Sequence, residues 1–196
     1  MKNPETTNFT KFKTGNPVVQ YLINRFYTKV TKYILREPFD SILDAGCGEG
    51  MTLQKLRGYL PRNVTAFDLN HDCVHYTSAW FPGANITSQD ILHLPYDKEE
   101  FDLVICLEVL EHLERPDLAL KSLKRVARNR LIFSVPYEPW FQVGSFLRGK
   151  YLKYWGNHPE HINHWSPNTF EQFLSREFSA VSIDTSLPWI IAQVRA

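Results

Sequence analysis

The sequence has 196 residues, 43% apolar and 22% charged, a balance that fits one globular domain able to bury a full core without disulfides or structural metals. Twenty-two Lys and Arg nearly cancel twenty-one Asp and Glu, with no block of like charge, which argues against strong attraction to nucleic acid or anionic membrane and favours a small-molecule partner. Cys47, Cys73 and Cys106 are odd in number, widely spaced and without a CxxC, as expected of buried free thiols in a reducing compartment.

Residues 1–15 are too polar for a secretory signal, and no apolar run approaches a membrane span, so a cytoplasmic protein is expected, as monomer or homodimer. From Asn16, a cap followed by Pro17, apolar residues recur at helical spacing (Val19, Leu22, Ile23, Phe26, Val30, Ile34), predicting an amphipathic helix ended by Pro38. Residues 1–40 thus form a helical cap on a single domain. "SILDAG" reads as a short buried strand leading through glycines into a helix from about Gly50 to Gly58. "NVTAFDL" is a second strand, "HDCVHYTSAWF" a helix, "ANITSQDI" a third strand with its turn, and "FDLVICLE" a fourth, continuously apolar one. "RPDLALKSLKRVAR" puts Leu120, Leu123 and Ala127 on one helical stripe, and "RLIFSVP" is a fifth strand. Strands alternating with helices predict βαβ units and a mostly parallel sheet covered on both faces. Residues 137–165 break this pattern with many aromatics, as a lid-like insertion does. "SPNTFEQFLSREF" restores a helix, and "AVSIDTS" with "WIIAQVRA" reads as a terminal antiparallel pair.

The glycines of "DAGCGEG" imply close backbone approach to a ligand at a strand end. Such a turn serves either a dinucleotide or S-adenosylmethionine, and the glycines alone do not choose. Asp44 favours the second: an acid beside a pyrophosphate repels it, whereas one beside the amino group of a methionine moiety attracts it. The spacing agrees, because the third glycine of G-x-G-x-x-G would fall at Met51. Asp68 and Asp90, ending the second and third strands, are placed to accept from ribose hydroxyls and an adenine amino group; alternatively each is a turn residue.

"ILDAGCGEG", "AFDLN", "SQDI" and "FDLVICLEVLEHL" together resemble the successive motifs of class I S-adenosylmethionine-dependent methyltransferases, especially the type 11 group. The resemblance implies a Rossmann-like α/β fold with seven strands and an antiparallel C-terminal hairpin. It assigns Asp44, Gly46 and Gly48 to the methionine portion, Asp68 to the ribose and Asp90 to the adenine. Leu69 and Ile91 would flank the ring, with Cys47 and Leu107 also against the cofactor.

In "LEVLEHL", Glu108, Glu111 and His112 stand at i, i+3 and i+4, so on a helix they share one face. Two carboxylates and an imidazole suit Mg²⁺ or Mn²⁺, and less specifically Zn²⁺, with a fourth ligand drawn from His158, His161 or His164. The E-x-x-E-H pattern resembles that of ubiquinone-biosynthesis O-methyltransferases and of small-RNA 3′-terminal 2′-O-methyltransferases. That resemblance implies a metal held by Glu108, Glu111, His112 and a later histidine, best matched by His161, with Glu111, His112 and His161 serving methyl transfer to a hydroxyl. The competing readings are His112 as a metal-free general base, N- or C-methylation without metal, a nicotinamide-dependent oxidoreductase, and a non-catalytic cofactor-binding module. Arg148, Lys150 and Lys153 could hold an anionic group of the acceptor, or simply form a solvated face.

Overall fold

Strand β1 (Ser41–Ala45) lies in the middle of the molecule because every one of its residues after Ser41 is buried. The computed structural model describes residues 15–138 and 161–196. Around β1 the strands β2 (Asn63–Asp68), β3 (Asn85–Ser88), β4 (Phe101–Leu107), β5 (Ala127–Pro136), β6 (Val181–Ser186) and β7 (Trp189–Arg195) form a seven-stranded sheet in the order β3-β2-β1-β4-β5-β7-β6. Strands β1 to β5 are parallel, and β7 runs antiparallel to both β5 and β6. The chain moves outward from β1 to β3 and then crosses back to β4. The crevice between the carboxyl ends of β1 and β4 is therefore the topological switch point, where such sheets bind ligands.

Alternate residues of each central strand feed two separate cores. Leu43, Val104, Cys106, Leu131 and Phe133 face helix α4 (Pro116–Val126) and helix α5 (Pro167–Leu174), which contribute Leu120, Leu123, Phe170 and Leu174. Ile42, Leu103, Ile105 and Ile132 face helix α1 (Pro17–Ile34), which contributes Ile23, Phe26, Val30 and Ile34. The short α2 (Met51–Lys55) follows the glycine turn, and α3 (His71–Trp80) links β2 to β3. No helix among the described residues is long and apolar enough to cross a membrane.

Local chemistry sets the boundaries. The Asn16 side chain accepts from the Val18 and Val19 N–H groups and Pro17 takes the first helical position, so α1 starts where predicted. It stops at Ile34, four residues before Pro38, because the Arg130 guanidinium reaches its end: Nη1 donates to Tyr33 O at 2.7 Å, and Nη2 donates to Ile34 O at 2.6 Å and Glu37 O at 2.7 Å. The third strand ends at Ser88 with its turn after it, as expected. Two expected elements differ. The helix after the glycine turn closes at Lys55 and continues only as a 3₁₀ turn, Arg57–Tyr59. Ala127 is not on α4 but opens β5, where it pairs with Phe101. Most of the expected lid, including Arg148, Lys150, Lys153 and His158, lies outside the described residues.

Candidate active site

The turn after β1 is built on three glycines with left-handed backbones: φ is 78° at Gly46, 50° at Gly48 and 73° at Gly50. Their side-chain positions differ in what surrounds them. A Cβ on Gly46 would stand 2.4 Å from Val109 Cγ2, and one on Gly50 2.6 Å from Thr77 Cγ2. At Gly48 a Cβ would meet nothing within 4 Å. Gly46 and Gly50 are thus required by the protein's own packing, whereas at Gly48 only the left-handed backbone resists a side chain and the space beside it is open.

That space is a cavity of about 400 Å³ at the switch point. Gly46, Cys47, Gly48, Asp68, Leu69, Asp90, Ile91 and Leu107, all expected against the cofactor, line it. The wall that sequence reasoning missed comes from far away in the chain: Ile23, Phe26 and Tyr27 of α1, and Trp189 at the start of β7. Phe26 and Trp189 meet ring to ring at 4.9 Å, and the Tyr27 hydroxyl lies 3.4 Å from Thr52 Oγ1. Ile23 and Phe26 were signalled in the sequence only by position on the apolar face of α1, and Tyr27 and Trp189 by nothing local. Glu49 also lines the cavity although it is 3% exposed, and the acid inside the glycine turn was a signal available to the sequence.

Four backbone N–H groups of the turn already have partners within the protein. Gly46 N and Cys47 N donate to Phe67 O at 2.8 and 2.9 Å, Gly48 N donates to Asp68 Oδ2 at 2.8 Å, and Gly50 N donates back to Cys47 O at 2.9 Å. Amides held this way are not offered to a pyrophosphate, and the five-residue α2 supplies little dipole. The carboxylates of Glu49, Asp68, Asp90 and Glu108 line the same cavity, and no Lys or Arg does among the described residues. This environment suits a ligand with cationic groups, as the sulfonium and amino groups of S-adenosylmethionine are, better than a dinucleotide.

Asp44 is placed differently from expectation. It is 2% exposed, is not among the cavity-lining residues, and its Oδ2 accepts no hydrogen bond among the described residues. Burial, with the Asp68 carboxylate adding repulsion, pushes its carboxyl up to about 7. Asp90 is a turn residue as well as a lining one: its Oδ1 accepts from Leu92 N at 2.9 Å, and its Oδ2 lies 3.4 Å from His93 Nδ1. All three cysteines are free and buried, and burial pushes each thiol upward, so Cys47 touches the cavity as an inert neutral group.

The second constellation is only partly assembled as expected. The segment after β4 is not an α-helix: Glu108 has φ 59°, and Leu110–His112 form a 3₁₀ turn. The helical spacing argument for one shared face therefore fails. Glu108 turns toward the sheet, where its Oε1 accepts from Ser134 Oγ at 3.0 Å and its Oε2 from Trp189 Nε1 at 2.7 Å. A left-handed backbone at a non-glycine residue is sparsely populated, and these two anchors help hold it in place beside the cavity. Glu111, His112 and His161 do come together, with ligand atoms all within 4.8 Å of one another. Glu111 and His161 are buried, and the two imidazoles pack edge to face at 5.0 Å. His112 also lines the cavity, linking the two constellations. His164 points to a different partner, with Nδ1 3.7 Å from Glu138 Oε1.

The comparisons with known proteins agree with this geometry. Residues 43–134, from β1 to the end of the parallel sheet, match the family described as Methyltransferase domain (Methyltransf_11). Residues 43–134 are thus a methyltransferase domain of the class I S-adenosylmethionine-dependent type. A tRNA U34 carboxymethyltransferase of Campylobacter curvus is 31% identical over 88 residues, 43% of this chain and 30% of that protein. A ubiquinone biosynthesis O-methyltransferase of Glaesserella parasuis is 31% identical over 99 residues, 44% and 40%. These matches span less than half of either relative's length. A second tRNA U34 carboxymethyltransferase, from Wolinella succinogenes, is 27% identical over 90% of this chain and 70% of its own. Among solved structures, a SAM dependent methyltransferase from Aquifex aeolicus superposes with TM-score 0.70 at 18% identity, covering 97% and 99% of the two chains. The plantazolicin methyltransferase BpumL gives 0.75 at 15% identity, covering 96% and 88%. Both show the same fold.

Proposed function

We propose that this methyltransferase moves the methyl group of S-adenosylmethionine to an oxygen of a small hydroxylated acceptor, beside the group formed by Glu111, His112 and His161. The observation that carries this reading is the position of His112, which belongs both to that group and to the wall of the cofactor cavity. The open space at Gly48, the acidic lining and the aromatic wall fit the cofactor. Asp68 is the candidate for the ribose, because one of its oxygens already fixes Gly48 N and the other fixes Asn70 N, which holds the carboxylate at the cavity's edge.

In this reading the cofactor supplies an already activated methyl, and the protein contributes position and dryness. Phe26, Tyr27 and Trp189 exclude water from one side. Glu108, held by Ser134 and Trp189 on the cavity wall, would face the cationic part of the bound cofactor. Without a metal, His112, partly exposed, is the group able to receive the acceptor's proton.

The donor set of one carboxylate and two imidazoles fits a divalent transition-metal ion such as Mn²⁺ or Zn²⁺ better than Mg²⁺. Glu111, His112 and His161 would hold it, and Glu108 is left out of the set by its two anchors. When bound, such an ion would lower the pKa of an acceptor hydroxyl. The test is methyl transfer from labelled S-adenosylmethionine to a panel of phenols and ortho-dihydroxy aromatics, before and after EDTA and with Mn²⁺ restored. Transfer to oxygen that EDTA stops and Mn²⁺ restores is the expected result. Transfer untouched by EDTA leaves His112 as a metal-free base, and methylation found only on nitrogen or carbon rejects the O-methyl reading.

A second reading is favoured by the length of the Wolinella match: a tRNA acceptor. The balanced charge of 22 Lys and Arg against 21 Asp and Glu works against it. Incubation with bulk tRNA and labelled cofactor separates the two, since incorporation into tRNA requires the second.

A further inference from the structure

The three residues of the Glu111 group come from two segments about 50 positions apart, and something must hold them in register. His161 is the described residue at which the chain returns to the site. Directly after it, Ile162 N and Asn163 N both donate to Glu111 O, at 2.9 and 3.1 Å. Two donors on one carbonyl make a pivot: they fix distance and leave the segment able to swing about that oxygen. The Asn163 side chain removes this freedom. Its Nδ2 donates to Leu110 O at 3.2 Å and to Leu113 O at 2.6 Å, on either side of Glu111 in the 3₁₀ turn. Only the amide nitrogen can face two carbonyls, so the amide's orientation is determined by its partners. Three carbonyls from four consecutive residues are thus gripped by one dipeptide. Two residues further on, buried Trp165 pairs with Tyr137 at the exit of β5 and anchors the far side.

We infer that Asn163 is a positioning residue of the site, whose side-chain amide locks the His161 segment onto the Leu110–Leu113 turn and sets the His161 imidazole against His112 and Glu111. The inference rests on the reading of Glu111, His112 and His161 as one functional group. It adds the element that assembles them. Asn163 touches neither cofactor cavity nor donor atoms; it acts through the placement of His161, as outer-shell hydrogen bonds do around metal-binding histidines.

Asn163→Asp tests this, because it preserves shape and replaces the two-proton donor with oxygens that repel the same carbonyls. Three measurements are made on the full chain: nuclear Overhauser contacts between the His112 and His161 ring protons, Mn²⁺ affinity by electron paramagnetic resonance, and S-adenosylhomocysteine affinity by calorimetry. The wild type should show the ring contact, and the variant should lose it. Mn²⁺ affinity should fall about 10- to 100-fold, with S-adenosylhomocysteine affinity unchanged. A wild type that shows the ring contact but binds no Mn²⁺ removes the metal reading, while loss of the contact in the variant still supports the positioning role. A variant that keeps both ring contact and Mn²⁺ affinity overturns the inference. Asn163→Ala is the companion variant if the aspartate does not fold, with the same expectations. Loss of folding and of S-adenosylhomocysteine binding in both would make Asn163 merely structural and also overturn it.

Discussion

Gly48 donates its backbone N–H to Oδ2 of Asp68 at 2.8 Å, joining the glycine turn after β1 and the acid ending β2 into one unit. A ligand held by Asp68 is thereby held in fixed relation to the open space at Gly48. Asp68→Ala should weaken S-adenosylhomocysteine binding by about 1.5–3 kcal/mol, the range for hydrogen bonds to a charged group. Binding unchanged in isothermal titration would place the ribose elsewhere.

The glycines should separate by role. Gly46→Ala puts a Cβ 2.4 Å from stiff Val109, so it should lower the melting temperature, and Val109→Ala added to it should recover part of the loss. Gly48→Ala carries only the cost of a left-handed backbone, about 1–2 kcal/mol, and should fold. It should bind cofactor poorly because its methyl occupies the cavity. Thermal melts and titrations of the same variants check both halves, and a Gly48→Ala protein that binds normally contradicts the assignment.

Asp44 makes stability depend on pH. Its carboxyl stands near 3.8 when exposed and at about 7 in the fold, so the folded state disfavours the charged form. Stability from this group is complete below about pH 3.8 and is lost as pH rises through about 7. Asp44→Asn should therefore raise the melting temperature most at pH 8, with the gain shrinking toward pH 4. A gain independent of pH would show that Asp44 does not titrate in this window.

Arg130 is 1% exposed and serves three backbone carbonyls at the end of α1. Arg130→Met should cost about 3 kcal/mol or more, since it takes their charged donor from three carbonyls, two of them in buried hydrogen bonds. Because α1 supplies Phe26 and Tyr27 to the cavity, cofactor affinity should fall along with stability in denaturant titrations. Full stability in the variant would show that α1 is fixed by its apolar face alone.

What the sequence made legible is what short-range chemistry decides. The Asn16 cap, the buried runs of β1 and β4, and the positive-φ glycines all follow from neighbours a few residues away. Asp68 and Asp90 reach the cavity because a parallel sheet brings the carboxyl ends of its strands to one edge, whereas Asp44, one residue before the end of β1, does not line it. The helix expected through Glu108, Glu111 and His112 was not found, because Glu108 is captured by Ser134 and Trp189, partners 26 and 81 positions away. The roles of Trp189, Tyr27 and Asn163 have the same origin: each depends on which distant segment packs beside it, and nothing in their local sequence states that.

The most direct measurement of the account is calorimetric titration of the wild-type protein with S-adenosylhomocysteine and, separately, with NADH. Binding of S-adenosylhomocysteine in the micromolar range, about −8 kcal/mol, that Gly48→Ala strongly weakens, together with no heat from NADH, is the predicted result. Binding of NADH without binding of S-adenosylhomocysteine would contradict it.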